Sequence, residues 1–206
     1  MIHPTIKESL AKSISYDTYK NLVNELADTE GTTGLEQTEA LINYTKLNAR
    51  RMKRWDKTLK ISDDNKKKVL EFNHSITWLI ITESWCGDAA HVIPVLNKLA
   101  ELNDNIDLKI VLRDENLELM DMFLTNGGRA IAKLIMIDNE SGEVLNTFGP
   151  RPSEATALVN NYKAEHGKLT PEFKEDLQVW YNKNKGQNII HDAVKLLCDF
   201  QPAICV

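Results

Sequence analysis

The sequence predicts an α/β fold, in which a small mixed sheet is flanked by helices and extended by further helices at both ends of the chain. Residues 76–82 are apolar or β-branched throughout, as expected of a strand buried on both faces. Strand and helix patterns then alternate as far as residue 165, and the segments before and after are dominated by helical patterns. A length of 206 residues suffices for one large domain, or for one domain with a helical extension.

The composition is that of a folded chain without a recognisable targeting segment. With 42% hydrophobic and 27% charged residues, the chain can bury a sizeable core. It has no run of about 18 apolar residues, and its first ten residues lack a basic stretch followed by an apolar one, so neither a membrane span nor a secretory signal is expected. Three cysteines do not make a disulfide framework and favour a reducing, cytoplasmic setting. No Cys/His spacing suits zinc, and neither a metal nor a cofactor is expected.

Charge is distributed unevenly along the chain. Residues 46–68 hold ten basic and three acidic side chains, a net charge of +7 within a chain whose total is −5. One interpretation is an anionic partner, and the other is a solvated helix face that balances an acidic body. No nucleic-acid motif accompanies the segment, so the solvated face is favoured and a nucleic-acid partner is not expected.

The first 57 residues are predicted to form a helical extension. Residues 15–28 repeat apolar side chains at helical spacing, and Gly31 ends the pattern. A longer helix over about 36–57 has an apolar stripe that ends at Trp55, with the basic residues beside it.

Residues 58–165 are predicted to form the sheet-containing domain. Residues 58–61 are a candidate edge strand, and Ser62 can cap the helix that follows. The buried strand 76–82 leads into a helix that runs from Cys86 to about residue 102.

A second strand and a hairpin complete this domain. Residues 106–112 follow the helix, so the two strands should pair in parallel as a βαβ unit. A short helix near residues 117–124 precedes a hairpin with strands 134–137 and 143–148. A helix over about 153–165 follows the hairpin.

Residues 166–206 are predicted to be helical and to pack on the same domain. Thr170 and Pro171 are a strong start signal, because an N-cap residue is followed by proline at the first helical position. A last helix is expected over about 187–200.

The segment with most chemical content follows the buried strand, where Cys86 stands at the start of a helix. Unpaired backbone N–H groups and the positive end of the helix dipole favour a thiolate at such a place. The turn Trp85-Cys86-Gly87, with Pro94 in the helix behind it, resembles the thioredoxin active site, and the element order over residues 58–165 is also similar. The Ser-Trp-Cys-Gly-Asp-Ala turn looks like that of uncharacterised bacterial thioredoxin-family proteins.

This resemblance implies a substrate groove around Cys86. In the family, the first cysteine of the turn attacks a substrate disulfide and forms a mixed disulfide. The partners implied are protein thiols or disulfides, with glutathione as a further candidate. The residues predicted to line the groove are Trp85, Gly87, Asp88, Ile131 and Ala132.

Three positions depart from the thioredoxin pattern. Ala89 stands where the family has its second cysteine, so the turn alone cannot complete a dithiol cycle. Ile80 replaces a buried aspartate that helps to move protons. Ala132 stands at the family's cis-proline, and since a cis bond before a non-proline residue costs about 2.5–4 kcal/mol, a trans Ile131–Ala132 peptide is predicted.

Two functions are compatible with these residues. The leading hypothesis is a monothiol redox protein that acts through an accessible Cys86 of lowered pKa. The alternative is a redox-inactive thioredoxin fold used as a protein-binding module, with the groove or the basic helix 36–57 as its contact surface. Cys198 and Cys205 are candidate resolving thiols, although Cys198 occupies an apolar helix position typical of a core residue.

Charged neighbours of the turn have less specific interpretations. His91 is predicted at the surface and on a different helix face from Cys86, because it lies five residues further on. Arg113 and Arg129 are candidates for lowering the thiol pKa, but a surface ion pair with Asp114 or Glu115 is at least as well supported.

Overall fold

A computed structural model describes residues 1–205 of the chain. Residue 206, the last of the predicted C-terminal extension, lies outside the described residues. The elements are α1 Pro4–Lys12, α2 Tyr16–Asp28, α3 Glu39–Thr58, α4 Asp63–Glu71, β1 Ile76–Thr82, α5 Ala89–Ala100, β2 Ile106–Leu112, α6 Leu117–Met122, β3 Lys133–Asp138, β4 Val144–Phe148, α7 Ser153–His166, α8 Pro171–Asn184, α9 Gln187–Phe200 and a final 3-10 turn, Pro202–Cys205.

The strands form one mixed sheet in the order β2-β1-β3-β4. β1 and β2 pair in parallel, with Ile76 opposite Ile106 and Thr82 opposite Leu112, and β3 runs antiparallel to both β1 and β4. Every residue of β1 is buried. The predicted mixed sheet with flanking helices is therefore confirmed, and β1 is its fully buried centre, as the apolar run predicts.

Strand β1 and helix α5 together position the turn that contains Cys86. Eleven of the twelve residues of α5 are buried, since the helix packs against β2, α3 and α9. Pro94 lies inside α5, as predicted. The turn between the two elements, residues 83–88, is thus anchored at both ends by buried structure.

Both terminal extensions contribute to the same hydrophobic core as the sheet. Tyr19 of α2 and Trp55 of α3 are 2% and 3% exposed, and Ile190 and Leu197 of α9 are fully buried. None of the helices among residues 1–205 combines the length and the apolar character that a membrane span requires.

Two local features differ from the sequence prediction. Helix α1 was not predicted, because only Ile6 of its apolar side chains is buried and its cap is unusual: His3 Nδ1 accepts the Thr5 backbone N–H at 3.3 Å. The prediction of an edge strand at residues 58–61 is wrong. Its first residue ends α3, and Leu59 packs against the turn before α9 rather than at the sheet.

The free edge of β2 is covered by the connection between α1 and α2. The backbone N–H and carbonyl of Ile14 pair with those of Ile110, both at 2.9 Å. The N-terminal extension therefore continues the hydrogen bonding of the sheet at this point.

Candidate functional site

Cys86 lies in the turn between β1 and α5, at the place where the sequence predicts it. Its backbone N–H donates to the Glu83 carbonyl at 3.2 Å, and its carbonyl accepts the N–H of Ala90 at 3.2 Å. The thiol donates to the backbone carbonyl of Ile131 at 3.2 Å. Of the predicted groove residues, the structure thus places Ile131 directly against the sulfur.

The expected accessible thiol is not found, because Cys86 is only 7% exposed. Burial, with the nearby charge of Asp88, raises the pKa of Cys86 to about 12. The backbone N–H groups of Ala89 and Asp88 act in the opposite direction, as predicted for a cysteine before a helix, but burial outweighs them. At neutral pH the sulfur is therefore a thiol, and the prediction of a lowered pKa is wrong.

The cover over this turn comes from the two terminal extensions. A Cβ atom added to Gly87 would lie 3.5 Å from Arg51 Nη1 of α3 and 3.9 Å from Gln178 Nε2 of α8. Arg51 is held in place by a hydrogen bond from Nη1 to Asn48 Oδ1 at 2.9 Å. Sequence reasoning missed this cover because it comes from residues about 35 before and 90 after the cysteine.

Asp88 is buried and paired instead of lining an open groove. Arg151 Nη2 lies 2.7 Å from Asp88 Oδ2, and the Tyr181 hydroxyl donates to Oδ1 at 3.0 Å. Burial raises the pKa of Asp88, whereas Arg151 and Tyr181 oppose that shift. The sequence gives no signal that Asp88 is buried or that Arg151 and Tyr181 are its partners.

The Ile131–Ala132 peptide is cis, so the prediction of a trans bond is wrong. The prediction used only the local preference of a non-proline residue. In the fold, Ile131 and Ala132 are 7% and 2% exposed, the Ile131 carbonyl faces Cys86, and Gly149 packs against the Ala132 carbonyl. These tertiary contacts cannot be predicted from local preference.

Ile80 and Glu83 are both buried close to the turn, but only Glu83 is acidic. Ile80 is fully buried on β1 between Ile110 and Leu134, where its side chain offers no group for proton transfer. Glu83 is also fully buried: its Oε1 accepts the Asp114 N–H at 2.9 Å, and within residues 1–205 its Oε2 has no hydrogen-bond partner. Burial raises the pKa of Glu83.

A buried hydroxyl cluster around Ser84 fixes the N-terminal extension to the turn. Ser84 Oγ accepts the Thr33 N–H at 2.9 Å and lies 2.8 Å from Thr45 Oγ1. The Ser84 carbonyl accepts from Asn48 Nδ2 at 2.8 Å, and its N–H donates to Thr33 Oγ1 at 2.8 Å. Sequence reasoning did not find these partners, because isolated polar residues in helices and loops give no pairing signal.

His91 is buried, at 1% exposure, so the prediction of a surface histidine is wrong. Trp55 Nε1 donates to His91 Nδ1 at 2.9 Å, and because Nδ1 accepts, Nε2 carries the proton and donates to Gln178 Oε1 at 2.8 Å. The ring stacks on Tyr181 with centroids 4.2 Å apart. Burial lowers the pKa of His91 to about 3, so the ring is neutral at pH 7.

The two arginines considered in the sequence are engaged elsewhere. Arg113 Nη2 lies 2.8 Å from Asp114 Oδ1, and its guanidinium lies over the Trp85 ring at 4.9 Å. Arg129 pairs with Asp121 at 2.6 Å. The surface-pair interpretation is confirmed for Arg113 with Asp114, whereas the arginine that reaches the turn is Arg151.

The other two cysteines pair with each other. Cys198 and Cys205 form a disulfide across a Cα separation of 5.8 Å, which leaves Cys86 as the only free cysteine among residues 1–205. Neither is therefore a free thiol available to resolve an adduct on Cys86. In the same described residues, no cluster of three or more His, Cys, Asp or Glu side chains is arranged to hold a metal ion.

These features define a thioredoxin-fold protein whose β1–α5 turn contains one cysteine, covered by helices of the two terminal extensions. The family model described as thioredoxin matches residues 34–164, more than half of the chain, and the chain belongs to the thioredoxin family. A comparison with curated proteins found no match.

Two solved structures share the fold. One is a protein of unknown function from Pseudomonas aeruginosa, with 16% identity, a TM-score of 0.63, and coverage of 93% of this chain and 95% of that one. The other is an HIV epitope-scaffold, with 16% identity, a TM-score of 0.55, and coverage of 89% of this chain and 98% of that one. At this identity the likeness concerns the fold alone.

Proposed function

We propose that this protein is a redox-inactive member of the thioredoxin family that serves as a protein-binding module. The observation that carries the proposal is the state of Cys86: a 7% exposed thiol that donates to the Ile131 carbonyl and whose pKa is raised to about 12 by burial. Because the thiolate is the nucleophile in disulfide exchange, a protonated and covered sulfur is unsuited to that reaction. Cys86 then acts as a small buried donor that ties the turn to the segment before β3.

The groups that support catalysis in the thioredoxin family are missing or paired in this chain, which also favours the proposal. Ala89 provides no resolving thiol, Ile80 provides no proton-transfer group, and the Asp88 carboxylate is paired with Arg151 rather than with solvent. The cover over the turn is built from α3 and α8, and both helices are anchored by side chains that lie in the hydrophobic core.

The reactivity of Cys86 tests the proposal directly. The pKa of Cys86 is about 12, against an unperturbed value of 9.0, so the thiolate fraction near neutral pH is roughly a thousandfold lower than in the unfolded chain. Alkylation by iodoacetamide should therefore be slower in the native protein than in denaturant by about that order. Without reductant, Cys86 is the only free thiol among residues 1–205 that iodoacetamide can alkylate. The Cys86→Ser variant gives the background rate of alkylation at other groups. Native alkylation at the rate of a free thiol would overturn the proposal.

A second candidate, monothiol disulfide exchange, is favoured by one observation. The sulfur keeps the backbone N–H groups of Asp88 and Ala89 and the contact with residue 131 that surround the first cysteine of the turn. In that reaction the Cys86 thiolate would attack a substrate disulfide, release one thiolate, and remain in a mixed disulfide for glutathione to resolve.

Non-reducing pull-downs with wild type and Cys86→Ser separate the two candidates. The binding-module proposal expects the two proteins to retain the same partners, with no adduct that disappears on reduction. A reducible adduct formed by wild type and absent from Cys86→Ser would favour exchange and contradict the module.

A further inference from the structure

A pocket of about 430 Å³ lies between the two terminal extensions, and no residue of the Cys86 turn lines it. Its walls come from the last turn of α3, the segment after it, and the junction of α8 with α9. The volume falls within the range of about 300–1,000 Å³ that is usual for small-molecule sites. Its charged lining residues are Arg54, Lys60 and Lys185, and the remaining lining residues are neutral.

Among residues 1–205, the three cations of this pocket form no ion pair with an acidic side chain. None of the ion pairs formed within the described part of the chain involves Arg54, Lys60 or Lys185. Other lysines on the surface are paired, as Lys46 is with Glu30 at 2.8 Å and Lys68 with Asp64 at 2.6 Å. Three unneutralised cations around one hollow give it a positive potential that attracts anions.

The backbone that carries these cations is fixed. Gln187 Nε2 donates to the carbonyl of Lys60 at 3.0 Å and to that of Lys185 at 3.2 Å, which links the two segments. Gly186, at φ +76°, is so close to the core that an added Cβ would lie 3.0 Å from Leu59 and 3.3 Å from Trp55. The backbone around the pocket is therefore fixed by contacts that do not depend on a ligand, whereas the three cationic side chains are exposed.

The helix termini at this pocket could help to bind an anion, but they also offer another reason for the cations to be there. Helix α9 begins at Gln187, and its remaining N-terminal N–H groups add positive potential, although Asn184 Oδ1 already accepts the Asn188 N–H at 2.9 Å. Helices α3 and α8 end at the same place, and cations also stabilise helix C-termini. If that were the whole role of Arg54 and Lys185, the pocket would have no selective affinity for anions.

We propose that this pocket binds the phosphate group of a small organic phosphate. A phosphate group carries about −1.5 to −2 charges at pH 7 and accepts several hydrogen bonds, whereas a monocarboxylate would neutralise only one of the three cations. The site goes beyond the binding-module proposal and does not depend on the chemistry of Cys86.

Titration with inorganic pyrophosphate at constant ionic strength tests the site, followed by calorimetry and by backbone amide chemical shifts. We expect saturable binding, with shift changes concentrated in residues 54–60 and 182–190. The triple variant R54Q/K60Q/K185Q should bind roughly tenfold more weakly or worse, because charge-assisted hydrogen bonds are lost. The control K163Q/K168Q/K174Q removes the same charge from exposed lysines outside the pocket and should retain affinity.

Equal weakening in the two triple variants, or shift changes spread over the basic surface, would overturn the site and leave the cations as helix-terminus partners. Citrate binding as tightly as pyrophosphate would overturn the assignment to phosphate. Cys86→Ser should bind pyrophosphate as wild type does, so failure of this proposal is distinct from failure of the binding-module proposal. Thermal unfolding of each variant verifies that the substituted proteins are folded.

Discussion

His91 connects three parts of the chain through one imidazole ring. It belongs to α5, accepts from Trp55 of α3, donates to Gln178 of α8, and stacks on Tyr181. Because both ring nitrogens are hydrogen-bonded in the neutral form, protonation would place a charge in a dry site and turn the accepting Nδ1 into a donor that faces the Trp55 N–H.

Acidification should therefore destabilise the protein through His91. Its pKa is lowered to about 3 in the folded protein and is 6.5 when unperturbed, so below pH 6.5 the unfolded chain takes up a proton that the folded chain does not. Stability that is present above pH 6.5 should fall by up to about 1.4 kcal/mol per pH unit until the folded pKa is reached. Urea unfolding of wild type and His91→Gln between pH 7 and pH 4.5 measures this contribution.

The variant should lose less stability over that window, whatever its stability at pH 7. His191→Gln removes an exposed histidine of α9 and serves as the control for the loss of a histidine. Identical slopes for wild type and His91→Gln would contradict the role assigned to the buried ring.

At the scale of an element, α8 forms one part of the cover of the candidate site, beside α3. Its buried face presents Tyr181 to Asp88 and to the His91 ring, and Gln178 lies above Gly87. Helix α8 begins where the sequence predicts, because the Thr170 side chain accepts the Phe173 N–H and Pro171 occupies the first helical position. Its position over the turn is a tertiary property that the start signal does not contain.

Truncation of that face should expose the thiol. In Tyr181→Ala, loss of the ring removes the stack on His91 and the donor to Asp88, and we expect iodoacetamide to modify Cys86 about tenfold faster through local opening of the cover. Val179→Ala changes an exposed side chain, 45% accessible, on the same helix and is the matched control. Equal rates in the two variants would show that α8 does not control access.

Periodicity predicts the elements of this fold better than it predicts the environment of the site. The ranges of β1 and β2, 76–82 and 106–112, agree with the sequence because an apolar strand followed by a helix and a second strand is a pattern that can be read locally. The burial of Cys86 and His91 is different, since it depends on side chains of α3 and α8 that only the tertiary structure brings close. The cis peptide before Ala132 was missed for the same reason.

At the scale of the whole molecule, both terminal extensions contribute side chains to the hydrophobic core. The division at residues 57 and 165 stays a prediction, but Trp55 and Tyr19 on one side and Ile190 and Leu197 on the other are buried in the same cluster as the sheet. Each large apolar side chain contributes about 1.5–3 kcal/mol by burial, and the net stability of a domain is only about 5–15 kcal/mol.

A fragment of residues 58–165 should consequently not fold by itself. We expect it to lack near-ultraviolet circular dichroism and a cooperative thermal transition, both of which the full chain should show. The four side chains named above together contribute about 6–12 kcal/mol by burial, which is comparable to the whole net stability of a domain. A sharp transition of the fragment would instead mean that the thioredoxin-like segment is autonomous and that the helices are later additions.

The short bridge between Ile14 and Ile110 bears on how copies of this protein behave together. An uncovered edge strand offers free N–H and carbonyl groups to the edge of another molecule, which is a common route to aggregation. Here the two hydrogen bonds from Ile14 occupy the middle of the β2 edge. The N-terminal segment thus takes up backbone groups of β2 that could otherwise pair with the sheet edge of another copy, and the Ile14 side chain, packed against the core, holds it there.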